Sequence, residues 1–161
     1  MSFSKKFRIA TAGLILVGTA TVVAQTPPAP AGPTPAERAI EYRQAVFKIV
    51  AGNFGPLSQV AQGKAEFKPE VAAKQATRLS QIATFVGDAH PDISKEGKTR
   101  ALPAIWSNRK EFDQIAADFA AHTKTLADVV ENSSSAGEEL KAAVAAVGND
   151  CKACHDKFRA K

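Results

Sequence analysis

The chain places its only two cysteines at Cys151 and Cys154, with His155 directly after them and only six residues beyond. No other stretch constrains the fold as much, because Cys-x-x-Cys-His is a haem-attachment spacing. Each thiol can add across one vinyl group of a porphyrin, and the adjacent imidazole can reach the iron from one face. Cys151 and Cys154 are therefore the candidate attachment residues and His155 the candidate axial ligand of a covalent haem c. Leu140, Val144, Val147, Cys151, Cys154 and Phe158 follow one another by three or four residues, so a helix gathers them, with His155, on one stripe. The haem is expected along the apolar face of the last helix.

Two other readings of the cysteine pair compete with this one. A thioredoxin-like redox pair wants a thiol at a helix N-terminus after a strand, where the dipole lowers its pKa, and this pair lies near a helix C-terminus. Zinc wants about four clustered ligands, and besides His155 the chain offers only His90 and His122.

Residues 1–24 read as a secretory signal. Lys5, Lys6 and Arg8 precede an apolar run from Ile9 to Val23, and Val22-Val23-Ala24 offers small residues for cleavage before Gln25. An uncleaved anchor is the alternative, but Thr11, Gly13, Gly18, Thr19 and Thr21 interrupt the run, and a span needs roughly 20 apolar residues. Without the signal the chain keeps 18 Lys plus Arg against 16 Asp plus Glu, a net charge of +2. The basic balance of the whole chain is thus no argument for a nucleic-acid or membrane partner. Residues 25–35, with Pro27, Pro28, Pro30, Pro33 and Pro35, form an extended leader unable to build a core.

Residues 36–161 divide into four helical stretches. Thr34-Pro35-Ala36-Glu37 combines a capping box with proline at the first helical position. The helix it opens is expected to end about Ala51, ahead of Gly52 and Gly55-Pro56. Its stripe carries Ile40, Phe47, Val50 and Ala51 together with Arg43 and Gln44, polar groups that ask for a polar partner. A second helix follows Pro69, with Val71, Leu79, Ile82, Phe85 and Val86 at helical spacing and Gly87 closing it. Asp88 to Pro103 reads as a loop in which His90 is solvated. A third helix opens near Ser107 or Asn108, where Glu111 completes a capping box, and presents Phe112, Ile115, Ala116, Phe119, Leu126 and Val130. Ser135-Ala136-Gly137-Glu138 opens the last one. With no strand alternation, the expected fold is all-α, an antiparallel up-and-down four-helix bundle bearing covalent haem c on its C-terminal helix.

Glu41-Tyr42-Arg43-Gln44-Ala45, Ile105-Trp106-Ser107 and the run from Val147 to Asp156 around the cysteines resemble the cytochrome c′ family. The resemblance covers essentially all of residues 36–161. It implies that Cys151 and Cys154 hold the haem, that His155 is the proximal ligand, and that Arg43 and Gln44 contact a propionate. It also implies that Arg159 lies beside the proximal imidazole, that Phe47 occupies the distal face, and that the protein is a periplasmic homodimer joined through helix one. The plain alternatives are a snorkelled Arg43 and Gln44, an Arg159 that caps the last carbonyls, and a Trp106 that only packs.

Function then turns on the sixth position of the iron. Met1, the only methionine, leaves with the signal, and His122 sits at the edge of the third helix's apolar face. The phenyl ring of Phe47 has no atom with which to coordinate iron. A five-coordinate iron under an apolar lid favours nitric oxide and carbon monoxide over dioxygen, water and anions. The expected function is a haem protein that binds these gases and exchanges electrons with redox partner proteins, and is not an enzyme. The alternative is a low-spin, six-coordinate electron-transfer cytochrome of the same fold. A peroxide enzyme is weaker, because no distal acid-base pair is visible beside Phe47.

Overall fold

The computed structural model describes residues 32–161. The expected signal and most of the proline-rich leader lie outside them. Five helices follow in order: α1 Pro35–Ala61, α2 Pro69–Ala83, the single-turn α3 Ala104–Ser107, α4 Arg109–Glu131 and α5 Glu138–Phe158. α1 packs on α2, α2 on α4, α4 on α5 and α5 on α1, which closes a four-helix bundle with α3 as a cap against α4 and α5. No helix among the described residues is long and apolar enough to cross a membrane.

α1 starts as the sequence predicts. Thr34 Oγ1 accepts from the Glu37 amide at 3.2 Å, and the Thr34 amide donates to Glu37 Oε2 at 2.7 Å. The end is different, for α1 runs ten residues past Ala51 with Pro56 inside it. An interior proline costs roughly 3 kcal/mol, but the buried stripe of Val46 and Val50 continues through Leu57 and Val60. Burying those two side chains returns about 1.5–3 kcal/mol each, enough to carry the helix through.

α2 and the turn after it bury Leu79 and Val86 and pack Ile82 on the core as expected, but the rest of the buried face differs. Ala72, Ala76, Leu79 and Ala83 point inward, while Val71 and Phe85 are about half exposed. Small side chains let neighbouring helices approach closely, so alanines outrank the larger apolar residues here. The last two predicted capping boxes do not form. Asn108 and Gly137 stand at the two N-caps without a side-chain bond, and Glu111 reaches across to Lys157 on α5 instead.

The predicted loop between α2 and α3 is anchored at both ends of its path. Gly97 has φ +124°, a conformation that favours glycine, and it sits close to α1, where a Cβ would push on the tip of Ile40 at 2.8 Å. Farther on, the Leu102 amide donates to the Phe158 carbonyl at 2.9 Å and the Ala160 amide to the Arg100 carbonyl at 2.8 Å. This short antiparallel bridge ties the loop to the end of α5.

Candidate cofactor site

A cavity of about 700 Å³ opens between α1, α4, α5 and the loop after α2, and its walls contain Arg43, Gln44, Phe47, Cys151, Cys154, His155 and Arg159. All seven predicted site residues thus come together. That size suits a cofactor. Most of the remaining lining is apolar, including Val50, Phe54, Ile105, Ile115, Phe119 and Phe158.

On α5 the stripe that buries Leu140, Val144 and Val147 delivers Cys151 and Cys154, both partly buried, to the cavity. Burial and then Asp150 raise the Cys151 thiol, and burial followed by Cys151 pushes Cys154 up to about 11. Both therefore rest as neutral thiols. That is the opposite of the activated thiolate a disulfide oxidoreductase requires. His155 follows at the rim, and Arg159 Nη1 stands 3.3 Å from its Nδ1. Partial desolvation, and next Arg159 and Arg100, hold the His155 imidazole below its ordinary pKa and favour the neutral form that coordinates metals.

Arg43 finds polar partners within the protein. Its Nη1 donates to Ser94 Oγ at 2.6 Å and its Nη2 to Thr99 Oγ1 at 2.8 Å, with longer bonds to the carbonyls of Ser94 and Ala89. The guanidinium is buried and pins the loop after α2 onto α1, a role the stripe pattern did not disclose. Gln44, one residue on, is exposed at the cavity wall. Arg100 is a further cation in that wall, held by bonds to the Ala160 carbonyl. No motif singled it out.

His122 turns away from the cavity lining. Its Nδ1 meets Asp150 Oδ2 at 2.7 Å and links α4 to α5. Trp106 donates from Nε1 to the His90 carbonyl at 3.3 Å and packs with Ile105, Phe112 and Phe158.

His90 overturns its reading as a solvated loop residue. It is 4 % exposed and lines the cavity. Its ring lies 6.0 Å from that of Phe47 and 4.6 Å from that of Phe112, centroid to centroid. Sequence alone shows a histidine before a proline in a Gly/Ser/Lys-rich stretch.

Burial, and to a smaller degree Arg43 and Arg109, lower the His90 pKa from 6.5 to about 4, against a hydrogen bond to Val86 that raises it. Between those values the unfolded chain takes up a proton that the native state refuses. Stability should thus fall as pH drops from about 6.5 to about 4, by about 3 kcal/mol from this group, and level off below. Urea midpoints of the holoprotein across that range should fall more steeply in wild type than in His90→Gln.

A sequence model of the family described as Cytochrome C′ matches residues 38–159. Cytochrome c′ of Rubrivivax gelatinosus is 39 % identical over 126 residues, which span 76 % of this chain and 95 % of that one. The crystal structure of cytochrome c′ from Rubrivivax gelatinosus superposes with a TM-score of 0.69 at 37 % identity, covering 75 % of this chain and 94 % of the other. A nitric oxide complex of a mutant of cytochrome c prime from Alcaligenes xylosoxidans gives a TM-score of 0.71 at 28 % identity, covering 78 % and 97 %.

Proposed function

Since this chain belongs to the cytochrome c′ family, whose members carry covalently bound haem c, we propose that it is a periplasmic haem protein with five-coordinate iron that binds nitric oxide and carbon monoxide. The bound haem supplies an iron that accepts small diatomic ligands and one electron at a time. Cys151 and Cys154 would hold it to α5, and His155, with Arg159 beside its ring, would supply the protein's nitrogen to the iron. Gln44 would face the propionates from α1, with Arg43 beside it keeping its bonds to Ser94 and Thr99.

The observation that carries the reading is Phe47. It sits in the cavity wall on α1, and in this reading its ring would cover the iron face opposite His155. Its phenyl ring keeps water out and gives no hydrogen bond to a polar ligand, so neutral diatomics gain most. The nitric oxide complex of the Alcaligenes xylosoxidans relative supports the same ligand class. Neutral, desolvated thiols weigh against a thiol redox role. No turnover is assigned to the site. Electron transfer with partner proteins is a second role of the same iron.

Optical and electron paramagnetic resonance spectra of the purified holoprotein test this directly. High-spin, five-coordinate iron is expected near neutral pH in both oxidation states. A low-spin spectrum in either state overturns the five-coordinate reading in favour of the six-coordinate electron carrier.

The leader and the assembly complete the proposal. Cleavage before Gln25 leaves a secreted chain, and intact mass of the exported protein should lack residues 1–24. Tyr42 and Ile49 lie seven residues apart on α1, each 48 % exposed, on a face suited to a two-fold homodimer.

A further inference from the structure

His90 is the one imidazole set deep in this cavity wall, and its two nitrogens are in different positions. Nδ1 lies 2.9 Å from the Val86 carbonyl oxygen, which can only accept, so Nδ1 carries the hydrogen. Nε2 then holds a lone pair. It has no partner among the described residues. No buried side-chain nitrogen or oxygen there lacks a partner, so Nε2 opens on the cavity.

The position is rigid. Trp106 Nε1 and Arg109 Nη1 both donate to the His90 carbonyl, at 3.3 and 3.0 Å, while Arg109 Nη2 holds the Gly87 carbonyl at 3.2 Å. Phe47, the proposed lid over the iron, and Phe112 flank the ring. A lone-pair base is thus fixed beside the proposed lid, between the phenyl rings of Phe47 and Phe112.

We propose that His90 is the proton acceptor of this cavity for weak acids of the type H–X that bind iron through X, such as hydrogen cyanide or hydrogen sulfide. The proposal rests on the haem reading above and extends its ligands from neutral diatomics to protic molecules. For hydrogen cyanide, the H–C bond breaks with both electrons left on carbon. The proton passes to Nε2, and the carbon lone pair becomes available to ferric iron. Nothing is oxidised or reduced. Burial, and after it Arg43 and Arg109, disfavour a lasting imidazolium, so the proton moves on to water. Nitric oxide and carbon monoxide carry no proton and gain nothing from this base.

Stopped-flow binding of hydrogen cyanide to the ferric holoprotein, beside carbon monoxide binding to the ferrous form, separates the two proposals. A positioned base contributes about 10²-fold or more, so His90→Leu and His90→Gln should each slow cyanide association by about 10²-fold. Carbon monoxide association in His90→Gln should match wild type. The wild-type cyanide reaction should also slow in deuterium oxide, and the variants should lose that effect. The glutamine amide can still bond the Val86 carbonyl and fill the site, so this variant keeps the test sound if the leucine protein misfolds.

Equal cyanide rates in wild type and His90→Gln, with carbon monoxide binding intact, overturn the role of His90 alone. A wild-type low-spin signal that vanishes in His90→Gln makes His90 an iron ligand and overturns both proposals. Failure of the ferrous wild type to bind carbon monoxide also overturns both.

Discussion

Replacing Cys151 and Cys154 together by serine is expected to abolish covalent haem retention. A hydroxyl does not add across a porphyrin vinyl group under the conditions in which a thiol does, and these are the only two cysteines in the chain. Both thiols line the cavity, one turn apart on α5, and burial keeps them protonated and available for thioether formation. Acidified organic solvent should leave the haem on wild-type protein and extract it completely from the double variant. His155→Ala should separate attachment from ligation. The thioethers remain while the axial nitrogen is lost, so haem content should hold while the optical spectrum changes. Complete extraction of haem from the wild type would refute the attachment claim.

Phe47→Ala should make carbon monoxide bind faster and tighter. If Phe47 lids the iron as proposed, an incoming ligand has to displace the phenyl ring from its rotamer in the wild type, a distortion that costs about 0.5–1.5 kcal/mol. Relief of that cost raises affinity by up to about tenfold. The ring is partly buried against the core and packs edge-on to His90, so its removal should leave a void in the wall of the haem cavity rather than a collapsed wall. Water should enter that space, and the His90 imidazole gives it a hydrogen-bond acceptor. Flash photolysis of the ferrous carbon monoxide complex measures the change. Unchanged kinetics would reduce Phe47 to a packing residue and remove the main support for the lid.

Both expectations use parts of the molecule that were legible in the sequence to different degrees. The spacing of Cys151, Cys154 and His155, and the stripe that continues upstream to Leu140, are local properties of one helix. A period of 3.6 residues turns such spacing directly into a shared face. The capping box at Thr34 is local in the same sense, and so is the number of long helices. From these alone the chain is a helical bundle with its haem face on α5.

What the sequence left undecided is set by partners far away along the chain. The end of α1 depends on the burial of Leu57 and Val60 against the rest of the bundle, which outweighs Pro56. The inward face of α2 is chosen by how closely its neighbours approach, and so falls to Ala72, Ala76 and Ala83 rather than Val71 and Phe85. Glu111 has a capping position available but pairs with Lys157 on α5 instead. The polar stretch after α2 reads as solvated because its composition is that of a loop. Arg43 nevertheless draws Ser94 and Thr99 under α1, and the end of α5 bonds to Arg100 and Leu102. That folding brings His90 among Phe47, Trp106 and Phe112. Local periodicity fixed which residues share a helix face. Only the tertiary structure, through burial and long-range hydrogen bonds, decided that the cavity holding the cysteines also holds a buried imidazole.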